Sequence, residues 1–268
     1  MAKQVIDCVN GYQFEKVRLE VKDHIAIMTL HNPPVNTASR QLGTEIKKLC
    51  EYIDRNDDIW VCILCSDLKT FCVGMEIKEL RQELAKKDVT NLQRVYYEGT
   101  EALYQLRVPL ICAVHGHCLG GGLCYPASAD ICIAVRGTVF GVPEAKLSFI
   151  GGSGHLSRLI PPMIQRDMCY CGTTITAEEL HDRFGGVTMV VDTRDELMPA
   201  AMEKARELCK RSPRVLRSLK ACMIQQEAFH MQQKDAAEML YTQLVGNDDL
   251  VEGVSAFLEK RDPQYKEV

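Results

Sequence analysis

"HGHCLGGGLCYPASAD", residues His115 to Asp130, sets three consecutive glycines between two apolar runs, "VPLICAV" before it and "ADICIAV" at its end. Glycine weakens the interior of a strand or helix, so the triplet belongs to a junction, with a strand before it and a helix opening on it. At such a junction the first backbone N–H groups of the helix are unpaired and point outward. A residue without Cβ lets another atom reach them, and the place can bind phosphate or stabilise an oxyanion. No "GK[ST]" follows, and Gly116, Gly120, Gly121 and Gly122 do not fall on G-x-G-x-x-G. A lysine-type phosphate loop and a dinucleotide fingerprint are therefore excluded. Tight helix–sheet packing would call for the same glycines.

Outward from the triplet, strand and helix signals alternate. "FEKVRLEV" and "HIAIMTL" read as adjacent strands joined at Lys22-Asp23, and "NPPVNTAS" as a loop. Ser39 caps a helix with Leu42, Ile46, Leu49 and Ile53 at helical spacing. "WVCILCS" reads as a buried strand, Asn91 to Leu106 as a helix and "VTMVV" as a short strand. This succession predicts an α/β core with a parallel sheet. Beyond it the chain is mostly helical, with Val251, Val254 and Leu258 on one stripe of the last helix. A second loop, "KTFCVGMEIKEL" from Lys69 to Leu80, also follows a strand and centres on Gly74. Two strand-end loops of a parallel sheet can meet at its carboxyl edge, and a pair of N–H donors from separate loops is what a developing oxyanion requires.

Composition narrows the function classes. The chain has 268 residues, 46% hydrophobic and 25% charged, with a net charge of -4, enough for one large core. The slightly acidic balance disfavours nucleic acid as a partner. No signal-peptide pattern and no apolar run of membrane-spanning length are present, so a cytoplasmic protein without membrane contact is expected. Thirteen cysteines scattered through apolar segments fit reduced, buried thiols. Cys62 and Cys65 would point to opposite faces of their strand, and Cys169 and Cys171 lack a second pair, so no metal site is expected.

Taken together, "NPPVNTAS", "KTFCVGMEIKEL", "HGHCLGGGLCYPASADICIA", "FGVPEAKLSFIGGSGHLSRL" and "SAFLEKRDP" resemble the crotonase superfamily, the enoyl-CoA hydratases and isomerases. The resemblance implies a ClpP/crotonase-like spiral of β-β-α units over residues 1–195 and a helical C-terminal region over 196–268. That region would form homotrimers, or dimers of trimers, and complete the acyl-CoA pocket. It implies a coenzyme A thioester as substrate and no tightly bound cofactor. It puts the oxyanion-hole N–H groups on Met75 and Gly121 and a catalytic carboxylate on Glu144. Coenzyme A contacts would come from Val35, Asn36, Cys72, Gly74, Ile77, Gly120, Phe257 and Lys260. Lys69 and Arg81 are further cations for its phosphates.

The pattern departs from the family's hydratases at one position. Where G-G-G-x-E is expected, this chain has "GGGLC", so Cys124 stands in place of the first glutamate. One carboxylate remains. A single base suffices to move a proton between C2 and C4, or to serve retro-aldol cleavage. The "GMEIKEL" and "GHCLGGGLCYP" segments are similar to hydroxycinnamoyl-CoA hydratase-lyases, with Tyr96, Tyr97 and Tyr125 as contacts for an aromatic acyl group. Decarboxylation, thioester hydrolysis and a non-catalytic acyl-CoA- or RNA-binding role are the alternatives. Apolar neighbours such as Phe140, Leu147 and Phe149 would raise the Glu144 pKa. His155 is a candidate second acid, or a structural histidine.

Overall fold

The computed structural model describes residues 3–86, 89–227, 231–245 and 247–265. The chain enters through β1 (Gln4–Ile6) and a short hairpin of β2 (Cys8–Val9) and β3 (Tyr12–Gln13). Next, β4 (Val17–Lys22) and β5 (Ile25–Leu30) pair antiparallel, as the reading around Lys22-Asp23 expects. Asp23 and His24 make the turn with φ of 51° and 65°.

From β5 the sheet runs parallel into β6 (Val61–Ser66) and β7 (Leu110–Val114). The chain then leaves it in β8 (His117–Leu119) and returns in β9 (Ile131–Val135). It leaves again for β10 (Val139–Gly141) and β11 (Thr174–Thr176), and β12 (Met189–Val191) closes the edge. The main sheet has seven strands in the order β1-β4-β5-β6-β7-β9-β12, and β11-β10-β8 form a second, smaller one. The expected parallel sheet is thus mixed at its N-terminal edge, where tight hairpins need no crossover helix.

The helices are α1 (Arg40–Asp54), α2 (Ile77–Ala85), α3 (Val89–Tyr104), α4 (Cys124–Ser128), α5 (Ser153–Leu156) and α6 (Pro162–Cys171), then α7 (Ala177–Glu179) and α8 (Arg194–Cys209). Three more, α9 (Pro213–Gln226), α10 (Met231–Val245) and α11 (Asn247–Glu259), form the C-terminal region. Ser39 caps α1, accepting the Leu42 N–H at 3.2 Å. All six residues of β6 are buried, as a parallel strand covered on both faces must be. Cys62 and Leu64 face the core built with α1 and α3, while Val61, Ile63 and Cys65 face Leu197, Ala201 and Ala205 of α8. The two cysteines therefore lie on opposite sides. The boundary expected between 195 and 196 falls inside α8, which covers the second face of the sheet.

Two local expectations change. The glycine triplet opens a 3-10 turn, Gly120–Leu123, and only a five-residue α-helix follows, too short for a large dipole. On α11 Val254 is buried beside Leu250, whereas Val251 and Leu258 are 43% and 41% exposed. The stripe that packs is therefore not the one the spacing suggested. Among the described residues, no helix is long and apolar enough to cross a membrane.

Candidate active site

The loops that follow β5, β6 and β7 converge at the carboxyl edge of the sheet. Ala38 bridges Met75 in parallel fashion, through Ala38 N–H to Gly74 O at 2.7 Å and Glu76 N–H to Ala38 O at 3.1 Å. In such a bridge the N–H of Met75 points the opposite way. A second bridge joins Cys72 to Cys118, with Leu119 N–H on the Cys72 carbonyl at 2.9 Å. Gly74 (φ +92°) comes so close that a Cβ on it would stand 3.3 Å from the Gly121 nitrogen and 3.0 Å from Leu119 O. The two glycine loops do meet.

Each glycine of the triplet answers to a different neighbour. A Cβ on Gly120, at φ +55°, would fall 2.5 Å from the Oε1 of Glu144. On Gly121 it would press on the Tyr96 ring at 3.3 Å, and on Gly122 it would strike the Cys72 carbonyl oxygen at 2.5 Å. Tyr96 also donates its hydroxyl to the Gly121 carbonyl. Close packing and close approach of a functional group thus both apply, at adjacent positions. At Gly121 the nearest protein neighbour of a Cβ is the Tyr96 ring.

Glu144 opens a 3-10 turn, Glu144–Leu147, which ends on Ser148 in the left-handed region (φ 56°). Phe149 N–H returns to the Glu144 carbonyl at 3.0 Å. The residue as a whole is only half-buried, but its Oε2 is shut off from solvent and has no hydrogen-bond partner. Burial pushes its carboxyl up to about 8, and the charge of Glu238 adds to this. Hydrogen bonds from its own backbone N–H and from that of Gly121 oppose the rise.

These groups share a cavity of about 810 Å³. Of the residues singled out in the sequence, Met75, Gly74, Ile77, Gly120, Gly121, Cys124, Glu144 and Phe257 line it, as do Tyr96, Tyr97, Leu147 and Phe149. Val35, Asn36, Cys72, Lys260, Lys69, Arg81, Phe140, Tyr125 and His155 do not. Asn36 is fully buried at φ 54° and spends its amide on Ser66 Oγ (2.7 Å) and Phe71 O (3.0 Å). It ties the first loop to the second, and Thr37 is the residue of that loop that reaches the cavity. Val35 accepts the Thr70 hydroxyl on its carbonyl. Lys260 adopts φ 55° where α11 ends, and the next residue, Arg261, lines the cavity instead. Lys146, Arg261 and Tyr265 line it together with Phe257; the first two lie within quoted motifs but were not singled out there.

Cys124 is fully buried, and burial pushes its thiol far above the ordinary range, so it stays protonated. His155 lies beneath Tyr97, ring centroids 5.9 Å apart and planes within 14°. Burial, with Lys234 and Arg158 nearby, pulls its imidazole down to about 3. Its Nδ1 is 3.4 Å from Asp235 Oδ1 without forming a hydrogen bond. Burial and the nearby Glu238 push the Asp235 carboxyl up to about 8.

The enoyl-CoA hydratase/isomerase family profile matches residues 20–268. The mevalonyl-coenzyme A hydratase sidH of Aspergillus fumigatus is 30% identical over 252 residues, 91% of this chain and 92% of that protein. The (7aS)-7a-methyl-1,5-dioxo-2,3,5,6,7,7a-hexahydro-1H-indene-carboxyl-CoA hydrolase of Mycobacterium tuberculosis is 31% identical over 199 residues, 74% of this chain and 80% of that one. Among solved structures, DspI of Pseudomonas aeruginosa is similar with a TM-score of 0.75 and 28% identity, covering 97% of this chain and 100% of that one. An enoyl-CoA hydratase from Bacillus halodurans reaches a TM-score of 0.83 over 90% of this chain and 100% of that one, at 18% identity, a likeness of fold. The chain has the crotonase fold and belongs to the enoyl-CoA hydratase/isomerase family.

Proposed function

We propose that the chain is an acyl-CoA-transforming enzyme of the hydratase/isomerase type that moves a proton at C2 with Glu144 as its single carboxylate base. The setting of Glu144 carries this reading: a carboxyl raised to about 8, with one unpartnered oxygen, at the meeting point of two glycine loops. A base poised near the working pH is the efficient one. In the reaction proposed, the thioester oxygen takes the N–H groups of Met75 and Gly121. Gly121 thereby gives up its bond to the Glu144 carboxylate, which becomes more basic at the moment it is needed. Glu144 removes a C2 proton, and the electron pair moves into the C1–C2 bond as the oxygen gains negative charge at the two N–H groups. The proton then returns at C4 of a 3-enoyl thioester, which leaves the double bond between C2 and C3. Loss of one oxyanion donor typically lowers turnover about 10²–10³-fold.

The neutral thiol of Cys124 supports chemistry that needs one base over hydration by two carboxylates. A second reading, hydrolysis of a CoA-bound substrate, is supported by the name of the Mycobacterium tuberculosis relative. Incubation with 2-enoyl-, 3-enoyl- and saturated acyl-CoA thioesters separates the two. Movement of the double bond favours the first, and release of free coenzyme A thiol with the carboxylic acid the second. Self-association through the C-terminal helices is part of the proposal. Val215, Leu219 and Met223 of α9 are 60%, 51% and 47% exposed at helical spacing, an apolar stripe for self-association; sedimentation at a trimer's mass, lost in Leu219→Asp, is expected.

A further inference from the structure

Helices α3 and α10 face each other across two polar rungs. In the upper one, Gln93 Nε2 donates to Thr242 Oγ1 (3.2 Å) and to the Ile150 carbonyl (3.1 Å). In the lower one, Tyr97 donates its hydroxyl to Glu238 Oε2 at 2.5 Å. Gln93 and Tyr97 are one helical turn apart, and so are Glu238 and Thr242. Between the rungs lies the turn that backs the site. Glu238 Oε2 also accepts the Gly152 N–H at 3.0 Å, while Oε1 accepts the Gly154 N–H at 2.7 Å and the Ser153 hydroxyl. The turn lies against the base, since a Cβ on Gly151 would be 3.7 Å from Glu144 Cγ and one on Gly152 would be 3.6 Å from Gly120 O.

We propose that Glu238, 5% exposed, is the positioning residue of the site, clamping the 150–154 turn and Tyr97 into the wall that fixes the Glu144 carboxylate. This rests on the reading of Glu144 as the base. A carboxylate is specific to the task. Each of its oxygens meets a backbone N–H and a hydroxyl, so the NH₂ of a glutamine in either place would face a donor. Tyr97, Cys124, Glu144, Cys169 and Asp235 lie in its field. His155, Lys234 and Glu101 bear on Asp235. The groups bearing on Glu144 are Cys124 from α4, Cys169 from α6 and Glu238. Burial pushes both thiols up, Cys169 to about 11, so Glu238 supplies the charge among them.

The test follows exchange of the C2 proton of short- and medium-chain saturated acyl-CoA thioesters in deuterium oxide, with the intact chain. For Glu238→Gln, exchange turnover is expected to fall about 10–100-fold, as a displaced catalytic group does, with KM nearly unchanged. The pH midpoint of exchange should move down, because a negative charge beside Glu144 is gone. An unmoved midpoint overturns the proposal whatever the rate, since a merely structural residue would lower the melting temperature alone. If Glu238→Gln does not fold, Tyr97→Phe decides. It keeps the charge and removes one donor, so a several-fold loss of turnover at constant KM upholds the clamp and wild-type turnover refutes it. Glu144→Gln separates the two readings. If it exchanges at the wild-type rate, the base assignment fails. If it is inactive while both other variants behave as wild type, only the clamp fails.

Discussion

Two carboxylates stand on one wall and are treated in opposite ways. Glu238 is buried and accepts four hydrogen bonds, two from backbone N–H groups and two from hydroxyls. Glu144 is the more open residue, yet its Oε2 has no partner, and its Oε1 lies against the glycine loop. A third buried carboxylate, Glu45, behaves like Glu238 and receives the N–H groups of Glu15, Lys16 and Val17 at 2.7–3.2 Å. Buried polar groups are normally satisfied, so a carboxylate left short of partners inside an apolar cavity is a candidate for chemistry; Asp235 also has an unpartnered oxygen but does not line that cavity.

The largest effect should come from removing the unsatisfied group. Glu144→Gln is expected to lower C2 exchange by about 10³-fold or more, within the range for loss of a general base, with acyl-CoA binding retained in calorimetry. Next comes crowding it. Gly120→Ala puts a Cβ on Glu144 Oε1 at a positive φ, and about 100-fold lower turnover is expected from the displaced carboxylate. Gly122→Ala meets the Cys72 backbone with the same 2.5 Å clash and should instead lower unfolding stability by about 1–3 kcal/mol. Neighbouring glycines would then report on chemistry and on packing separately.

The pH behaviour sharpens the contrast. For turnover, the base form of Glu144 grows with pH, so exchange should rise about tenfold per unit below pH 8 and level off above it. For folding, the sign is opposite. The folded pKa lies above the ordinary value of 4.5, so the folded chain binds the extra proton. That stabilisation is full below pH 4.5 and is lost as pH rises to about 8. The slope is at most about 1.4 kcal/mol per unit. Thermal melts of wild type should therefore decline across this window more than those of Glu144→Gln. The smallest effect is expected at Cys124. As a neutral, buried thiol, its replacement by Ala should change turnover less than about threefold and lower stability by about 1 kcal/mol through the cavity left behind.

Much of this was legible in the sequence because it is local. The glycine triplet, "KTFCVGMEIKEL" and "GVPE" are each short, follow strands, and correspond to loops that the two sheets bring together. The exact contributor within a loop was less legible. Asn36 and Thr37 are neighbours, as are Lys260 and Arg261, and backbone conformation decides which one faces the cavity. The clamp was invisible for a different reason. Glu238 lies on an amphipathic helix that offers many charged residues, and its partner Tyr97 is 141 positions away. No spacing rule links them; only the packing of α10 on α3 does. The same holds for Glu45 and the start of β4, some 28–30 positions apart.

The most direct test is a carbon-13 NMR titration of the Glu144 side-chain carboxyl, assigned by its loss in Glu144→Gln. A midpoint near pH 8 is expected for a carboxyl held short of partners in an apolar cavity. A midpoint in the ordinary glutamate range near 4.5 would contradict it, and with it the reading of Glu144 as a poised base.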